Sequence, residues 1–333
     1  MRKPHILVVG SFVMDMITTT KVFPSSGETV LGEGFSTASG GKGANQAVQA
    51  ARLGADVTMI GKVGKDAFGE QMLSSVAGAG VHTDKVLHDE NGVSSAIGNI
   101  VLEVDGQGNR RNRIIVVSGA NMTTAVEELA FLKEEIAKYD LVMLQFEIPI
   151  AVNIAVAQWA REKGVPVMVN PAPAAAIPDA LLACTTYLSP NEHEAAALTG
   201  IAIHTEHGLN LQDVKNASLK LQAKGVGNVL TTLGENGAAL LDKDGMHYIA
   251  SVPDVTVADP TAAGDSFVAA FCVGVCIGLS ACQAMDFARN TAALTVSKCG
   301  AQPSLPNLVD VITSLRLHRE KDFPMDLLYS LID

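Results

Sequence analysis

The alternation of short apolar runs with longer stretches of helical period constrains the fold of this chain more than any other feature. Apolar runs of strand length are HILVVG (5–10), DLVMLQF (140–146), VPVMVN (165–170), TTYLS (185–189) and NVLTTL (228–233). Apolar residues recur at helical spacing at Ala44, Ala47, Val48 and Ala51, and again at Val152, Ala155, Val156 and Trp159. Strands that alternate with helices are typical of βαβ units. The sequence therefore predicts an α/β fold with a mostly parallel central sheet flanked by helices on both faces.

Two regions depart from this alternation and predict a smaller element. Residues 12–39 are rich in turn-forming residues, and residues 94–118 include the run NRRNRIIVV. Both patterns are typical of antiparallel strands joined by glycine-rich turns. We expect them to form a small antiparallel β lid inserted into one domain over residues 1–333, because no linker divides the chain.

Composition and charge exclude several classes of function. The 333 residues carry a net charge of −11, which disfavours nucleic acid and anionic membrane surfaces as partners. No run of eighteen uncharged apolar residues occurs, so no membrane span is expected. The five cysteines form no CxxC pair, and Cys272 and Cys276 are interpreted as small buried hydrophobes rather than metal ligands. An odd number of unpaired cysteines favours a cytoplasmic location.

The stretch DPTAAGD at 259–265 predicts an anion site at the start of a helix. A helix that begins at Ala263 directs uncovered N–H groups at its N-terminus, where partial positive charge favours a phosphate. Asp265 then lies in the first turn, within reach of a hydroxyl that approaches that phosphate. A simple helix cap is the alternative interpretation of Asp265.

The glycine-rich stretch SGGKGANQAVQAARLGA at 39–55 enters a second predicted helix. It is not a P-loop, because Lys42 is followed by Gly43 rather than by the hydroxyl residue that would hold magnesium. The first strand, which ends GSFVMD, lacks the glycine spacing of a dinucleotide-binding turn. Uncovered backbone, the cation of Lys42 and the amide of Asn45 suit a polyhydroxylated ligand.

Taken together, GGKGANQAVQAARLGA and DPTAAGDSF resemble the paired signatures of the ribokinase family of carbohydrate kinases. NPAPA (170–174), SPNEHE (189–194), TTLGENG (231–237) and CGAQPS (299–304) resemble further family motifs in the same order. The resemblance runs from about residue 5 to residue 315. It implies a ribokinase-like fold and the transfer of the γ-phosphate of ATP to a sugar hydroxyl, with a pentose as the expected substrate.

The resemblance also assigns roles to individual residues. Asp265 is implied to be the catalytic base, and the N–H groups of Ala262, Ala263 and Gly264 are implied to form the anion hole. Lys42 is implied to balance the developing charge. The sugar site is implied to comprise Asp15, Gly41, Lys42, Asn45, Glu147 and Asp265. The nucleotide site is implied to comprise Asn191, Thr232, Gly234, Gly237, Gly264 and, for adenine, Asn290.

Two cation sites follow from the same resemblance. Asn191 and Glu194 form the N-x-x-E pattern associated with Mg²⁺ and phosphates, although the pattern also suits a helix N-cap with a capping box. A monovalent cation, K⁺, is implied at Asp259, Thr261, Thr295, Lys298, Gly300 and Ser304. Pro260 departs from the threonine of many relatives, which puts this site in doubt.

Val13 leaves the choice of sugar open. Bacterial ribokinases commonly have an asparagine two residues before the sugar-binding aspartate, whereas this chain has an isopropyl group there. Relatives that act on 2-deoxyribose resemble this chain in having an apolar residue at that position. A kinase for 2-deoxyribose or a nucleoside is therefore an alternative within the family.

Proteins of other classes remain as alternatives. A non-catalytic sugar sensor has no need of Asp265, and a dinucleotide-dependent oxidoreductase is disfavoured by the missing glycine spacing. In the family that the chain resembles, lid strands with open edges often pair between subunits, so the resemblance implies a homodimer. His204 and His207 are interpreted as surface loop residues because no further ligands accompany them, and the tail at 319–333 receives no function.

Overall fold

The computed structural model describes residues 2–104, 110–205, 208–319 and 322–332. The strands in chain order are β1 His5–Val9, β2 Val13–Thr20, β3 Gly34–Gly40, β4 Asp56–Ile60, β5 Lys62–Val63, β6 Leu87–His88, β7 Ile97–Val104, β8 Arg110–Val117, β9 Leu141–Gln145, β10 Val167–Asn170, β11 Tyr187–Leu188, β12 Asn228–Thr232, β13 Ala238–Asp242 and β14 Gly245–Ile249. The α-helices are α1 Lys42–Arg52, α2 Ala67–Gly78, α3 Leu132–Glu135, α4 Ile150–Glu162, α5 Asp179–Leu182, α6 Glu192–Thr199, α7 Leu211–Gln222, α8 Ala263–Cys276, α9 Ala281–Val296, α10 Leu308–His318 and α11 Met325–Tyr329.

A large central sheet has the spatial order β14-β13-β12-β11-β10-β9-β1-β4 over the described residues. Neighbouring strands pair in parallel throughout the part of this order that runs β12-β11-β10-β9-β1-β4. At the other edge, β13 and β14 extend the sheet with antiparallel pairs. The predicted mostly parallel sheet is confirmed, and each predicted apolar run contains one of its strands. The structure adds the antiparallel edge that the apolar runs did not predict.

The central sheet is buried on both faces, as its continuous apolar strands require. Ile6 and Val8 of β1 belong to the core that contains α1 and α8, whereas Leu7 and Val9 belong to the core that contains α4. Alternate side chains of one strand thus enter different cores, because strand side chains point to opposite faces. Both predicted helices are present, as α1 and α4.

A second sheet forms the lid and has the order β3-β2-β7-β8 among the described residues. The two antiparallel hairpins, β2 with β3 and β7 with β8, are those expected from regions 12–39 and 94–118. The hairpins join through a parallel pair, β2 with β7, which the sequence did not predict. A parallel pair requires a crossover connection, and the segment from α1 to β6 supplies it.

The C-terminal tail packs against the body of the molecule. Phe323, Leu328 and Leu331 are buried in the core that contains α8, and a side chain at Gly54 would meet the carbonyl of Leu331 at 2.7 Å. Positions 320, 321 and 333 lie outside the described residues. Across the described part of the chain, none of the helices has the length and apolarity needed to cross a bilayer.

Candidate active site

Asp265 lies in the first turn of α8, and the helix begins at Ala263 as the sequence predicts. The Nδ2 atom of Asn45 donates to Asp265 Oδ2 at 2.9 Å, and the Nε2 atom of Gln46 donates to Oδ1 at 3.1 Å. Burial raises the pKa of Asp265 against the lowering effects of Lys42 and the two amides. The carboxylate is therefore held in one orientation in a site where its charge is costly, which suits a base that takes a proton from a substrate.

A buried network of amides stands behind Asp265. Gln46 Nε2 also donates to Asn170 Oδ1 at 3.2 Å, and Gln46 Oε1 accepts from Gln145 Nε2 at 2.7 Å. Asn153 donates to the carbonyl of Gln145, and Asn170 donates to the carbonyl of Ser189. Gln145 and Asn170 end the adjacent strands β9 and β10, so the carboxyl edge of the sheet fixes the position of Gln46.

The N-terminus of α8 presents backbone donors next to Asp265. Ala262 adopts the left-handed conformation with φ of 63°, and its side chain caps no N–H group. The N–H of Ala263 donates to the carbonyl of Pro260 at 3.2 Å, and that of Ser266 donates to Ala262. Within the described residues, the N–H groups of Ala262 and Gly264 have no such acceptor, and a Cβ at Gly264 would meet open space. Two of the three predicted anion-hole donors are thus available to a ligand.

Lys42 begins α1 among several carboxylates. Burial lowers its pKa, but Asp265, Glu147 and Glu194 together outweigh burial, so its pKa is raised and it stays charged. Its predicted role as a local cation is consistent with this environment.

The turn before Lys42 needs glycine for close packing. Gly41 has φ of 94°, and a Cβ there would lie 2.8 Å from the backbone nitrogen of Val13. A Cβ at Gly43 would lie 2.5 Å from the nitrogen of Ser11. These glycines allow α1 to approach the end of β1, which places Lys42 and Asn45 in the site.

Glu147 anchors the loop that carries Lys42. Its Oε2 atom accepts from Ser11 Oγ at 2.5 Å and from the backbone N–H of Lys42 at 2.9 Å. Ser11 had not been predicted as part of the site. Ser11 and Lys42 both donate to one oxygen of Glu147, so this carboxylate shapes the loop that carries Lys42.

Asp15 enters the site from strand β2 of the lid. Burial, and secondarily the charge of Glu147, raise the pKa of Asp15 to about 6. A Cβ at Gly98 of the neighbouring strand would lie 2.6 Å from Asp15 Oδ1 and 3.8 Å from Val13 Cγ1. Val13 and Asp15 therefore share one face of the lid, and Val13 is an apolar neighbour of the carboxylate.

A cavity of about 400 Å³ opens next to Asp265, which is one of the residues that line it. Predicted site residues that line it are Lys42, Asn191, Glu194, Thr232, Gly234, Gly237, Ala262, Ala263, Gly264 and Asp265. The cavity brings together the predicted nucleotide positions and the N-terminus of α8. Asp15, Asn45 and Glu147 do not line it: Asp15 lies on the lid, Asn45 reaches Asp265 from α1, and Glu147 follows β9.

Asn191 and Glu194 form the capping box of α6 at one wall of this cavity. Asn191 Oδ1 accepts from the N–H of Glu194 at 2.7 Å, and Glu194 Oε2 accepts from the N–H of Asn191 at 2.9 Å. Burial raises the pKa of Glu194 against the lowering effect of the bond to Asn191. The capping interpretation is confirmed, and it uses Oε2 of Glu194 rather than Oε1.

Asp259 ties the loop before α8 to the segment after α9. Its Oδ1 accepts from the N–H and hydroxyl of Thr261, and its Oδ2 accepts from the N–H of Gly300 at 2.9 Å. Thr295 and Ser304, which lie within five residues of Gly300 in the sequence, are buried. The hydroxyl of each donates to a backbone carbonyl. Asp259, Thr261 and Gly300 of the six residues expected at the monovalent cation site are thus in direct contact, and the N–H of Lys298 donates to the carbonyl of Thr295 at 3.2 Å in a second contact.

The structure does not bring Asn290 to the cavity. Asn290 is fully buried, its Nδ2 donates to Asp286, and its Oδ1 accepts from Ser314 at 2.7 Å. Ala292 of the same helix lines the cavity instead. His204 is exposed and bonds Asp213, as a surface loop residue would, and His207 lies outside the described residues.

A buried carboxylate in the first turn of a helix, beside a cavity of about 400 Å³ that the same helix N-terminus lines, is an arrangement that suits phosphoryl transfer. The pfkB family of carbohydrate kinases matches residues 3–308, and the chain belongs to this family. The resemblance seen in the sequence is thereby confirmed.

Individual relatives agree with the family assignment. A ribokinase of Schizosaccharomyces pombe is 40% identical over 95% of this chain and 99% of its own length. A deoxyribokinase of Salmonella typhi is 32% identical over 91% of this chain and 96% of its own length. The structure of Arabidopsis thaliana ribokinase complexed with ribose and ATP superposes with a TM-score of 0.85 and 34% identity, over 95% of this chain and 99% of that one.

Proposed function

We propose that this protein transfers the γ-phosphate of ATP to the 5-hydroxyl of D-ribose. The observation that carries this proposal is the position of Asp265, held by Asn45 and Gln46 on its sugar side and adjoining the open N–H groups of α8. A hydroxyl bound at Asp265 would face a phosphate bound at the helix N-terminus. The similarity to ribokinases supports ribose and ATP as the substrates.

The reaction follows from these groups. Asp265 accepts the proton of the 5-hydroxyl as the oxygen attacks the γ-phosphorus in line. The N–H groups of Ala262 and Gly264, with the charge of Lys42, stabilise the negative charge on the transferring phosphoryl oxygens. Asp15, Asn45 and Glu147 hold the remaining sugar hydroxyls, since a carboxylate accepts from more than one hydroxyl.

Glu194 suits a magnesium ion that accompanies the nucleotide. Its buried carboxylate lines the cavity, and one oxygen remains beyond the capping bond to Asn191. Over the described ranges no three His, Cys, Asp or Glu side chains form a metal cluster, so Glu194, water and phosphate oxygens would hold the ion. When bound, the ion neutralises phosphate charge.

Potassium is proposed as an activator at the loop that Asp259 organises. Asp259 accepts from Thr261 and Gly300, and the loop that these bonds organise leads directly into the N-terminus of α8, which supports the proposal. Carbonyl oxygens of Thr261, Thr295, Lys298 and Gly300, with the hydroxyl of Ser304, would complete the site. A cation there would act at a distance by fixing the anion-hole loop.

Two further properties belong to this proposal. The exposed apolar residues of β8, which is an edge strand of the lid, support a homodimer formed through the lids. The five cysteines, all among the described residues, form no disulfide, which supports a reducing cytoplasmic location.

2-Deoxyribose is a second candidate substrate, and Val13 is the observation that favours it. Val13 shares the face of the lid with Asp15 and offers neither donor nor acceptor to a sugar hydroxyl. An apolar wall discriminates against an added or missing hydroxyl far less than a polar group does.

The proposal is tested by measuring ADP release with a panel of pentoses, hexoses and nucleosides. Ribose should give the highest or near-highest kcat/KM, and the product should carry phosphate at the 5-position by NMR. Phosphorylation of hexoses or nucleosides with pentoses inactive would overturn the assignment of substrate. Absence of ADP release with every sugar, from a folded protein that binds ribose, would favour the sensor.

A further inference from the structure

A histidine contacts both an aspartate and an exposed cysteine outside the cavity next to Asp265. His247 Nδ1 is 3.4 Å from Cys282 Sγ, and His247 Nε2 is 3.2 Å from Asp242 Oδ1. Asp242 ends β13, His247 lies in β14, and Cys282 lies in the first turn of α9. Cys282 is exposed, and none of the three lines the cavity next to Asp265.

The carboxylate sets the tautomer of the imidazole. Asp242 Oδ1 also accepts the N–H groups of Asp244 and Gly245, at 2.8 and 3.1 Å, so the hairpin between β13 and β14 holds it in place. Because a carboxylate oxygen accepts, Nε2 of neutral His247 carries the hydrogen. The lone pair of Nδ1 then faces the thiol, which makes His247 a base for Cys282.

The charges around Cys282 permit a thiolate. The N-terminus of α9, capped by Ser280, favours negative charge in its first turn. Asp286, one turn further along α9, carries a negative charge that disfavours a thiolate at Cys282. Arg289 offsets this charge, because its Nε atom lies 2.8 Å from the carboxylate of Asp286. The hairpin contributes Lys243 and Asp244, one charge of each sign. On the neighbouring α8, burial raises the pKa of Cys276 to about 12, so that thiol stays neutral.

We propose that Cys282 is a reactive thiol that exchanges with small disulfides. His247 Nδ1 takes the thiol proton, and Cys282 Sγ attacks one sulfur of the incoming disulfide. A new S–S bond forms to Cys282 as the original S–S bond breaks. The departing half leaves as a thiolate and takes the proton from His247. Cys282 is oxidised to a mixed disulfide and the departing half is reduced to a thiol.

The other cysteines provide internal comparisons. Cys272 is fully buried, and burial raises its pKa well above the ordinary value, so it should be inert. Cys299 is exposed, and in the described part of the chain no histidine or carboxylate hydrogen-bonds its thiol. Cys299 therefore measures the reactivity of an exposed thiol that lacks a base.

The full-length protein is exposed to glutathione disulfide, and the modified fraction of each cysteine is followed by peptide mass spectrometry. At pH 7, Cys282 should react at least about tenfold faster than Cys299, because more of it is thiolate. The ratio of the two rates should fall as pH rises, because hydroxide then removes the proton of either thiol without the help of a histidine. Equal rates at pH 7, or identical pH profiles in the wild-type protein, would overturn the proposal.

A matched pair of variants separates the base from simple exposure. His247→Gln should lower the rate at Cys282 to within about twofold of Cys299, whereas Cys299→Ser should leave Cys282 unchanged. Sugar kinase activity should be unaltered in His247→Gln, which verifies the folding of that variant. A His247→Gln protein that keeps the fast rate at Cys282 would also overturn the proposal. If that variant does not fold, the pH dependence of the modification rates in the wild-type protein decides the question.

Discussion

The two ends of the active site are built on different parts of the molecule. Asp265 lies on α8 and accepts a hydrogen bond from Gln46. Gln46 is in turn held by Gln145 and Asn170, at the carboxyl ends of β9 and β10 in the central sheet. Asp15 lies on the lid, whose edge strand β8 exposes apolar side chains. The group assigned to the chemistry is therefore fixed by buried amides, whereas the group assigned to sugar binding lies on a smaller and more exposed sheet.

The largest effect is expected at the central end. Asp265→Asn should lower kcat by on the order of 10²–10⁴ or more, because the base is lost while the other sugar contacts remain. Ribose affinity, measured by calorimetry, should change little. A folded variant within about fivefold of wild-type kcat would contradict the proposed mechanism.

At the lid end, Val13 tests how the site reads the sugar. Wild-type kcat/KM values for ribose and 2-deoxyribose should lie within about 100-fold of each other, and Val13→Asn should shift the ratio toward ribose. Steady-state kinetics with both sugars measure the ratio. Rejection of 2-deoxyribose by more than about 10⁴ in the wild type would show that other polar groups read the 2-hydroxyl.

Asp15 predicts a pH effect on sugar binding with a definite sign. With a pKa of about 6, its carboxylate is mostly ionised at pH 7 and mostly protonated at pH 5. Ribose affinity should therefore fall as pH drops through 6, by up to about tenfold at pH 5. Ribose affinity is measured against pH by calorimetry on the Asp265→Asn variant, in which residue 265 no longer titrates. Adding Asp15→Asn to that variant should remove the dependence of affinity on pH. An unchanged slope in the double variant would assign the effect to another group.

Potassium tests whether the central end depends on its supporting loop. Adding K⁺ to carefully potassium-free enzyme should raise kcat severalfold, through the loop that precedes α8. Asp259→Ala should remove the response. Equal rates in sodium, tris and potassium buffers would argue against the cation site, and Pro260 would be the first residue to examine.

The smallest effect on kcat is expected at the edge of the lid. Ile115→Lys on β8 should convert a dimer, of twice 34.8 kDa, into a monomer by light scattering, with kcat kept within about twofold because Asp265 lies elsewhere. Leu317→Lys, at an equally exposed apolar position on α10, is the matched control and should leave the mass unchanged. A wild-type protein that is already monomeric would contradict the proposed dimer.

Local patterns in the sequence predicted much of this structure. The apolar runs identified strands of the central sheet, and the small residues of DPTAAGD predicted the start of α8 at Ala263. Glu147 was identified only by resemblance to a family, because a strand-end carboxylate has no distinctive local pattern.

Features that depend on distant segments were not predicted. Gln46, Gln145 and Asn170 meet only when α1 packs over the ends of β9 and β10, and their mutual distances are not encoded in any local pattern. The signal that could have found Gln145 and Asn170 is that each ends a buried parallel strand, where ligand sites of α/β sheets gather. The parallel pairing of β2 with β7 was missed for the same reason, since it joins regions far apart in the chain.

That parallel pair also bears on the order in which the protein folds. Each hairpin of the lid is local and could close in about 1–10 μs on its own. Joining the two hairpins requires closure of the long loop that contains α1, β4 and α2, and this closure costs conformational entropy. That cost is recovered only once β4 has paired with β1 and the segment is packed. The lid is therefore expected to assemble late, after the β1–α1–β4 unit, so the proposed sugar-binding surface is completed only when its supporting sheet already exists.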